Sequence, residues 1–374
     1  MSTFQVHIKR ILAIESHPNA DAIALALIDG YRSIVKKEQF RPGDLVAYIP
    51  EASLLPDWLL QRMGFWDDEK QCGKLHGRDG RRVKAIKLRG ELSQGICYPV
   101  SSGLLAGEMA EFPVMENDNV IDILGITKWE PPIPISMAGE LFDSSSIGID
   151  RITLAFDIEN WKAYPDILQE GEEVVFTEKI HGTFTGITLL PPGISHPEAF
   201  GCARNILIWS KGLGAKGLVF KNNEANAGNA YVRATAPLIA CLESNPVQTT
   251  HPLILMGETF GHCVQDLSYG ETLGFRLFAA VLNRKFADFD DLQNYTSLWL
   301  CASTSLVPIL YRGPFSEAVM REYTDGKTTL GAHHLREGIV MTPVKERFNS
   351  RIGRVCLKSI SADYLLRKGG TEFN

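Results

Sequence analysis

From Phe4 to Val100 the apolar residues fall in short runs divided by polar turns. "FQVHIKRILAI", "ALALIDGYRSIV", "DLVAYIP", "RRVKAIKL" and "GICYPV" each read as a strand, carried by β-branched and aromatic side chains. Asp29-Gly30 and Pro42-Gly43-Asp44 supply the turn signals between them. Five strands at this spacing predict a small Greek-key barrel such as an OB-fold over residues 1–127. The pattern breaks at residue 128, where "KWEPPIPISMAGELFDSSSIGID" holds three prolines and then a Gly/Ser-rich polar stretch. Residues 128–150 are therefore expected to be a linker, partly ordered through Trp129 and the isoleucines.

Residues 151–374 mix both periods. Strand-like runs ("EEVVFTEKI", "TGITLL", "NILIWSKG", "LILMGETFG", "FRLFAAV", "GIVMTP", "RVCLKSI") alternate with two helix candidates, "AYVRATAPLIACLES" and "DLQNYTSLWLCASTS". In the latter, apolar residues recur at three- and four-residue steps. Strands arriving in clusters favour an α+β domain of antiparallel sheets flanked by helices over a regularly alternating parallel one. In "VVFTEKIHGTFTGI", Gly182 and Gly186 are expected to permit a tight return.

Composition narrows the class. The chain has 374 residues, 45% hydrophobic and 22% charged, as in a water-soluble globular protein. No apolar run approaches the ~18 residues of a membrane span, so no membrane partner is expected. The start "MSTFQVHIKRILAI" lacks the pattern of a secretory signal. Seven cysteines (72, 97, 202, 241, 263, 301 and 356) stand singly with no CxxC pair, against a zinc ribbon or disulfide scaffold. A reducing, cytoplasmic setting is expected. The net charge of −6 advertises no global affinity for nucleic acid, yet a binding face needs only a patch.

Chemistry concentrates where charges end apolar strands. Lys179 closes "EEVVFTEK", and a buried lysine is salt-bridged, snorkelling or a nucleophile. Glu258 sits in "LILMGETFG", Glu337 opens "EGIVM" and Lys358 ends "RVCLK". If these strands converge, two carboxylates and two lysines share a pocket suited to a divalent cation and phosphate oxygens. Two ordinary structural salt bridges would explain the same residues.

The order of the elements decides between them. Lys179-Ile180-His181-Gly182, Gly257-Glu258, Phe275-Arg276-Leu277-Phe278, Glu337-Gly338-Ile339-Val340 and Leu357-Lys358 resemble, in order, motifs I, III, IIIa, IV and V of the covalent nucleotidyltransferases. That superfamily holds polynucleotide ligases and mRNA capping enzymes. Motif I there more commonly reads K-x-D-G; "EKIHGT" looks like the RNA ligases that repair nicks in duplexes. Sixteen residues follow Lys358, too few for the C-terminal OB domain of classical DNA ligases and capping enzymes, and a barrel-like module precedes instead. This layout resembles the Deinococcus-type nick-sealing RNA ligases along essentially the whole chain. The rivals are a GTP-using capping-type guanylyltransferase and a non-catalytic RNA- or tRNA-binding OB protein.

The resemblance implies a role for each matched position. Lys179 would take AMP from ATP, and Glu178, Ile180, His181 and Gly182 would help shape the nucleotide site. Glu258 and Glu337 match acids that hold a hydrated Mg2+ or Mn2+, or the ribose. Lys358 matches the lysine at the α-phosphate, and together with a metal it is expected to favour the neutral Lys179 amine. Phe278 matches the aromatic that stacks on adenine, ahead of Phe275, with Val340 on the opposite face. Lys211 in "WSKGLG" resembles a basic residue near the ribose or a substrate phosphate. His181 is expected to reach metal-bound water or a phosphate. Two departures stand out. Cys356 occupies a position that is usually lysine, with Arg354 as a possible substitute, and Phe184 replaces a residue that is often polar or basic.

In the first module, "SHPNADAIALALIDG" and "FRPGDLVAYIP" resemble tRNA-binding OB modules attached to some aminoacyl-tRNA synthetases. The stretch "KLHGRDGRRVKAIKLRGE" carries basic residues at 74, 78, 81, 82, 84, 87 and 89 against two acids. Arg82 and Lys84 are expected on one strand face and Lys87 and Arg89 on the next, touching nucleic acid. The expected partner is a nicked duplex of RNA or RNA/DNA hybrid, bound by a monomer.

Overall fold

The computed structural model describes residues 4–149, 151–194, 205–212, 217–244, 250–299 and 305–372. The chain divides into two units, one of Thr3–Glu130 with Trp161–Pro165, the other of Pro131–Asn160 with Asp166–Asn374.

The first unit is built from β1 (His7–Arg10), β2 (Ala13–Ser16), β3 (Ile23–Ile28), β4 (Tyr31–Lys36), β5 (Leu45–Ile49), α1 (Asp57–Met63), β6 (Ile86–Leu88), β7 (Glu91–Ser93), β8 (Ile96–Ser101), β9 (Leu104–Ala106) and β10 (Glu111–Pro113). One sheet runs β1-β5-β8-β9-β10 and another β2-β3-β4. Alternation along the strands buries Ile8, Ala47, Ile49 and Tyr98 with α1 residues Leu59 and Leu60, and Ala26, Ile28, Val46 and Tyr48 in a second cluster. The basic stretch departs from its expected form. Residues 83–85 are in no strand, Arg82 makes only isolated bridges, and Arg89 sits at φ 49° in the turn of the β6–β7 hairpin. The Arg82 guanidinium lies 3.4 Å from the centre of the Trp129 ring, so the two charge pairs do not share two faces of one strand. Lys87 and Arg89 are exposed.

The second unit contains β11 (Glu159–Asn160), β12 (Glu173–Lys179), β13 (Thr183–Leu189), β14 (Ile206–Ser210), β15 (Leu218–Val219), α2 (Ala230–Ser244), β16 (Leu253–Phe260), β17 (Gly274–Leu282), β18 (Lys285–Phe286), α3 (Phe289–Trp299), β19 (Ser305–Leu306), β20 (Ile309–Pro314), α4 (Glu317–Thr324), β21 (Gly338–Pro343), β22 (Leu357–Ile360) and α5 (Ala362–Leu365). The strands form two sheets, β11-β22-β21-β12-β20 and β15-β14-β13-β16-β17-β18, with β19 parallel to β17. The expected helix over 291–305 is α3, and residues 300–304 lie outside the described residues, as do Cys202 and Cys301.

One face of the second sheet is covered by α2, whose Tyr231, Ala234, Leu238 and Leu242 recur at helical steps and pack on Ile187, Leu255 and Leu277. The other face packs Trp209, Ile254, Met256 and Val281 against Ile147 and Ile152. Gly186 lies within β13 rather than at a turn, and a Cβ there would strike the Trp209 ring at 2.0 Å, which is what calls for glycine. Residues 131–149 do not behave as a free linker: Met137 is buried in the α2 core and Phe142 packs on the opposite face. Their prolines and serines resemble a linker because irregular packed chain uses the same residues as a mobile one.

Candidate active site

Both sheets present their polar strand ends to one cleft. In the first, Lys179 pairs with Gly338, Thr177 with Val340, and Val340 with Lys358, so period-2 alternation turns Thr177, Lys179, Val340 and Lys358 to one side. In the second, Glu258 on β16 lies between Phe184 and Arg276. Gly182 links the two sheets. A Cβ there would lie 2.2 Å from the Thr259 carbonyl oxygen and 2.9 Å from Glu258, so only glycine lets the β12–β13 turn pass so close.

The cleft holds a cavity of about 420 Å3 lined by Lys179, Glu258, Lys358, Lys211, Phe184, Phe278 and Tyr231, together with Ile133, Met137 and Gly139. A smaller, largely apolar recess of about 60 Å3 continues between Phe278 and Val340, and Thr177, Ile180, Thr342 and Cys356 also line it. Phe278 owes its place to a register shift: Met256 opposes Ala279 but Gly257 opposes Leu277, so Phe278 is the extra residue of a bulge. Phe275 instead packs in the core below Gly257.

The charges interlock. Lys179 Nζ lies 2.9 Å from Glu337 Oε2. Burial works to depress the Lys179 ammonium, but the charges of Glu337 and Glu258 outweigh it and hold its pKa above the ordinary lysine value. With these two carboxylates alone beside it the amine stays charged, and the expected neutral form depends on a metal ion joining Lys358. Lys358 does shift down, through burial and then through the charge of Lys179. Burial pushes Glu258 up to about 8, against the pull of Lys179, with Glu337 adding to the rise. Lys211 is ion-paired with Asp157, a partner the sequence did not suggest. Tyr231, also unanticipated, shares a 2.8 Å hydrogen bond with Thr183, and burial pushes its hydroxyl up to about 12.

The surroundings of three further expected residues are defined by their hydrogen bonds. Glu178 lines the small recess, with its carboxylate held by the Thr328 hydroxyl and, at 2.8 Å each, by the Thr329 N–H and hydroxyl. The His181 ring does not line the cleft: Asp266 and Tyr364 bind its two nitrogens. Arg354 lines the small recess beside Cys356 and is paired there with Glu346. Its Nε donates to both Glu346 oxygens at 3.1 and 3.0 Å, and its guanidinium lies 4.4 Å from the Phe286 ring centre. Phe184 fills its position as an aromatic, packed on Trp209 and Phe278.

A divalent cation finds no group of three or more His, Cys, Asp and Glu among the described residues. Glu258, which lines the cleft, and Glu337, which lines neither cavity but meets the cleft through Lys179, nevertheless suit an ion that keeps its own waters. Among the described residues no helix is long and apolar enough to cross a membrane.

A model of the RNA ligase family matches residues 172–360, half the chain, and an OB-fold domain model matches residues 5–100. No curated protein matches the chain. Among solved structures, a Naegleria gruberi RNA ligase mutant with AMP and Mn superposes with a TM-score of 0.72 at 23% identity, over 96% of this chain and 98% of that one. Another mutant of that ligase, with ATP and Mn, gives 0.70 at 22% identity, over 97% and 98%. Its complex with PPi gives 0.70 at 23% identity, over 96% and 97%. An OB-fold domain followed by a two-sheet ligase domain is the architecture these likenesses define. The chain belongs to the RNA ligase family.

Proposed function

We propose that this RNA ligase uses ATP to seal 3′-OH/5′-phosphate nicks in duplexes with RNA on the 3′-OH side, through a lysyl-AMP at Lys179. The observation that carries the reading is Lys179 itself, a strand-end amine facing a cavity with Lys358, Glu258 and Phe278 around it. Adenine would slide between Phe278 and Val340, and the small recess behind them would admit its edge. Lys179 Nζ, once deprotonated and released from Glu337, attacks the α-phosphorus. The N–P bond forms as the bond to pyrophosphate breaks, and the nitrogen loses a proton. A nick 5′-phosphate oxygen then takes AMP from the lysine, and the 3′-hydroxyl displaces AMP to close the strand. Lys358 faces the α-phosphate throughout as a fixed charge. A hydrated Mg2+ or Mn2+ near Glu258 and Glu337 would add positive charge at the phosphates. The barrel, residues 1–127, would hold the duplex through Lys87 and Arg89, with Lys84 and Arg82 behind them. An RNA 3′ end offers the 2′-hydroxyl that such a site can sense.

Incubation with α-labelled ATP or GTP plus manganese, followed by denaturation, tests the chemistry. Label from ATP that disappears in Lys179→Ala is expected. Label from GTP alone would assign capping-type chemistry, and no label at all would leave a binding protein. Sealing of nicks with RNA or DNA 3′ ends then tests the substrate.

A further inference from the structure

The His181 ring is buried yet takes no part in lining the cleft. Its Nε2 lies 3.0 Å from Asp266 Oδ1 and its Nδ1 2.8 Å from the Tyr364 hydroxyl. Arg367 Nη2 lies 3.1 Å from the same Nε2, so Asp266 and Arg367 meet at one ring nitrogen and Tyr364 at the other. Asp266 is in turn a hub. Arg367 donates to it at 3.1 Å (Nε to Oδ2) and 3.2 Å (Nη2 to Oδ1), and the Thr371 N–H donates to Oδ1 at 2.8 Å. Thr371 Oγ1 closes the loop by accepting from the Asp266 N–H at 2.8 Å.

These bonds reach the turn that carries the nucleophile. Beside Asp266, Gln265 donates to the Gly182 carbonyl at 3.2 Å, and the His181 N–H donates to the Tyr269 hydroxyl at 2.5 Å. The Ser361 N–H donates to the Glu337 carbonyl at 2.9 Å, and His181 Nδ1 stands 4.0 Å from the Glu337 carboxylate that pairs with Lys179. A network anchored on buried His181 and Tyr364 and reaching the surface at Asp266 favours one arrangement of the elements it joins.

We propose that residues 361–371 are a latch on the nucleophile: Tyr364, Arg367 and Thr371, meeting at His181 and Asp266, hold the β12–β13 turn so that Lys179 points at the α-phosphate. The histidine at position 181 thus recruits its acid from a distant segment. These are positioning residues, because none of them lines the cleft. The inference rests on the lysyl-AMP reading.

The test compares two steps in the full-length protein: single-turnover labelling of Lys179 by α-labelled ATP, and sealing of a pre-adenylylated nick, which bypasses that attack. Tyr364→Phe keeps the ring and deletes one hydrogen bond. It is expected to slow labelling about tenfold at saturating ATP, with half-saturation moved less than about threefold. Arg367→Ala is expected to slow labelling further, with Arg367→Lys recovering part of the rate. In each, sealing of the pre-adenylylated nick falls far less than labelling. Variants that label as fast as wild type, or that lose both steps in parallel, overturn the latch while the ligase reading stands. A wild type that takes no label overturns both.

Discussion

Lys179 Nζ and Glu337 Oε2 stand 2.9 Å apart, and this pair holds the nucleophile in the wrong protonation state for attack. A lysine raised above its ordinary ~10.4 is almost wholly charged at neutral pH. Attack must therefore await a ligand that displaces Glu337 or adds positive charge. The first-turnover labelling rate is expected to climb with pH, up to about tenfold per unit from pH 6 to 9. Glu337→Gln removes the anion and should move this limb to lower pH, even as the maximal rate falls. A limb that stays in place would separate the pair from the proton loss.

The bulge at Phe278 gives two neighbouring phenylalanines different work. Phe278→Ala should raise the ATP concentration for half-maximal labelling about tenfold, for loss of a stacking face, and shift the thermal midpoint little. Phe275→Ala should instead cost about 3–5 kcal/mol of stability, since its ring is enclosed between α2 and Gly257. ATP titrations and melting curves read the two effects independently. Equal changes in half-saturation would remove Phe278 from the nucleotide face.

Arg354 and Glu346 form a largely buried pair at the edge of the small recess. Glu346→Gln leaves the guanidinium without its counter-charge and should cost about 3 kcal/mol, read as a lowered denaturation midpoint. A variant as stable as wild type would show the pair to be dispensable, leaving a phosphate-facing role open to Arg354.

Much of this was legible in the sequence, for a physical reason. Lys179, Glu258, Glu337 and Lys358 stand at the edges of apolar runs, and their order along the chain marked them as one site, whereas their common side follows from the register of separate strands. What alternation cannot supply is a one-residue slip: the bulge at Phe278 depends on how β16 meets β17. Nor does local pattern reveal partners such as Asp266 and Arg367, which lie 85 and 186 residues from His181. The stretch from 131 to 149 misled because prolines and serines signal irregular chain, whether it is loose or, like Met137, buried.

On the barrel, Lys87 and Arg89 extend from an exposed hairpin, while Arg82 is occupied by Trp129. Lys87→Glu with Arg89→Glu should weaken nick binding and flatten its salt dependence, by a slope change of about 2 in log Kd against log salt. Arg82→Ala should act more on stability than on that slope. An unchanged slope in the double variant would take the hairpin out of the binding face.

Glu258 couples the chemistry to stability. Its pKa is about 8 in the folded chain against 4.5 for the ordinary carboxyl, so between those values the folded state binds the extra proton. Stability contributed by this group is therefore intact below about pH 4.5 and is lost progressively as pH rises toward 8. Glu258→Gln, which cannot ionise, should leave the protein about 1–3 kcal/mol more stable than wild type at pH 8 and indistinguishable at pH 5. Manganese should narrow the gap at pH 8 by favouring the carboxylate, and its binding should release a proton that calorimetry in buffers of different ionisation enthalpy detects. If the variant's advantage over wild type is no greater at pH 8 than at pH 5, Glu258 is already ionised in the free protein, with the charge of Lys179 offsetting its burial.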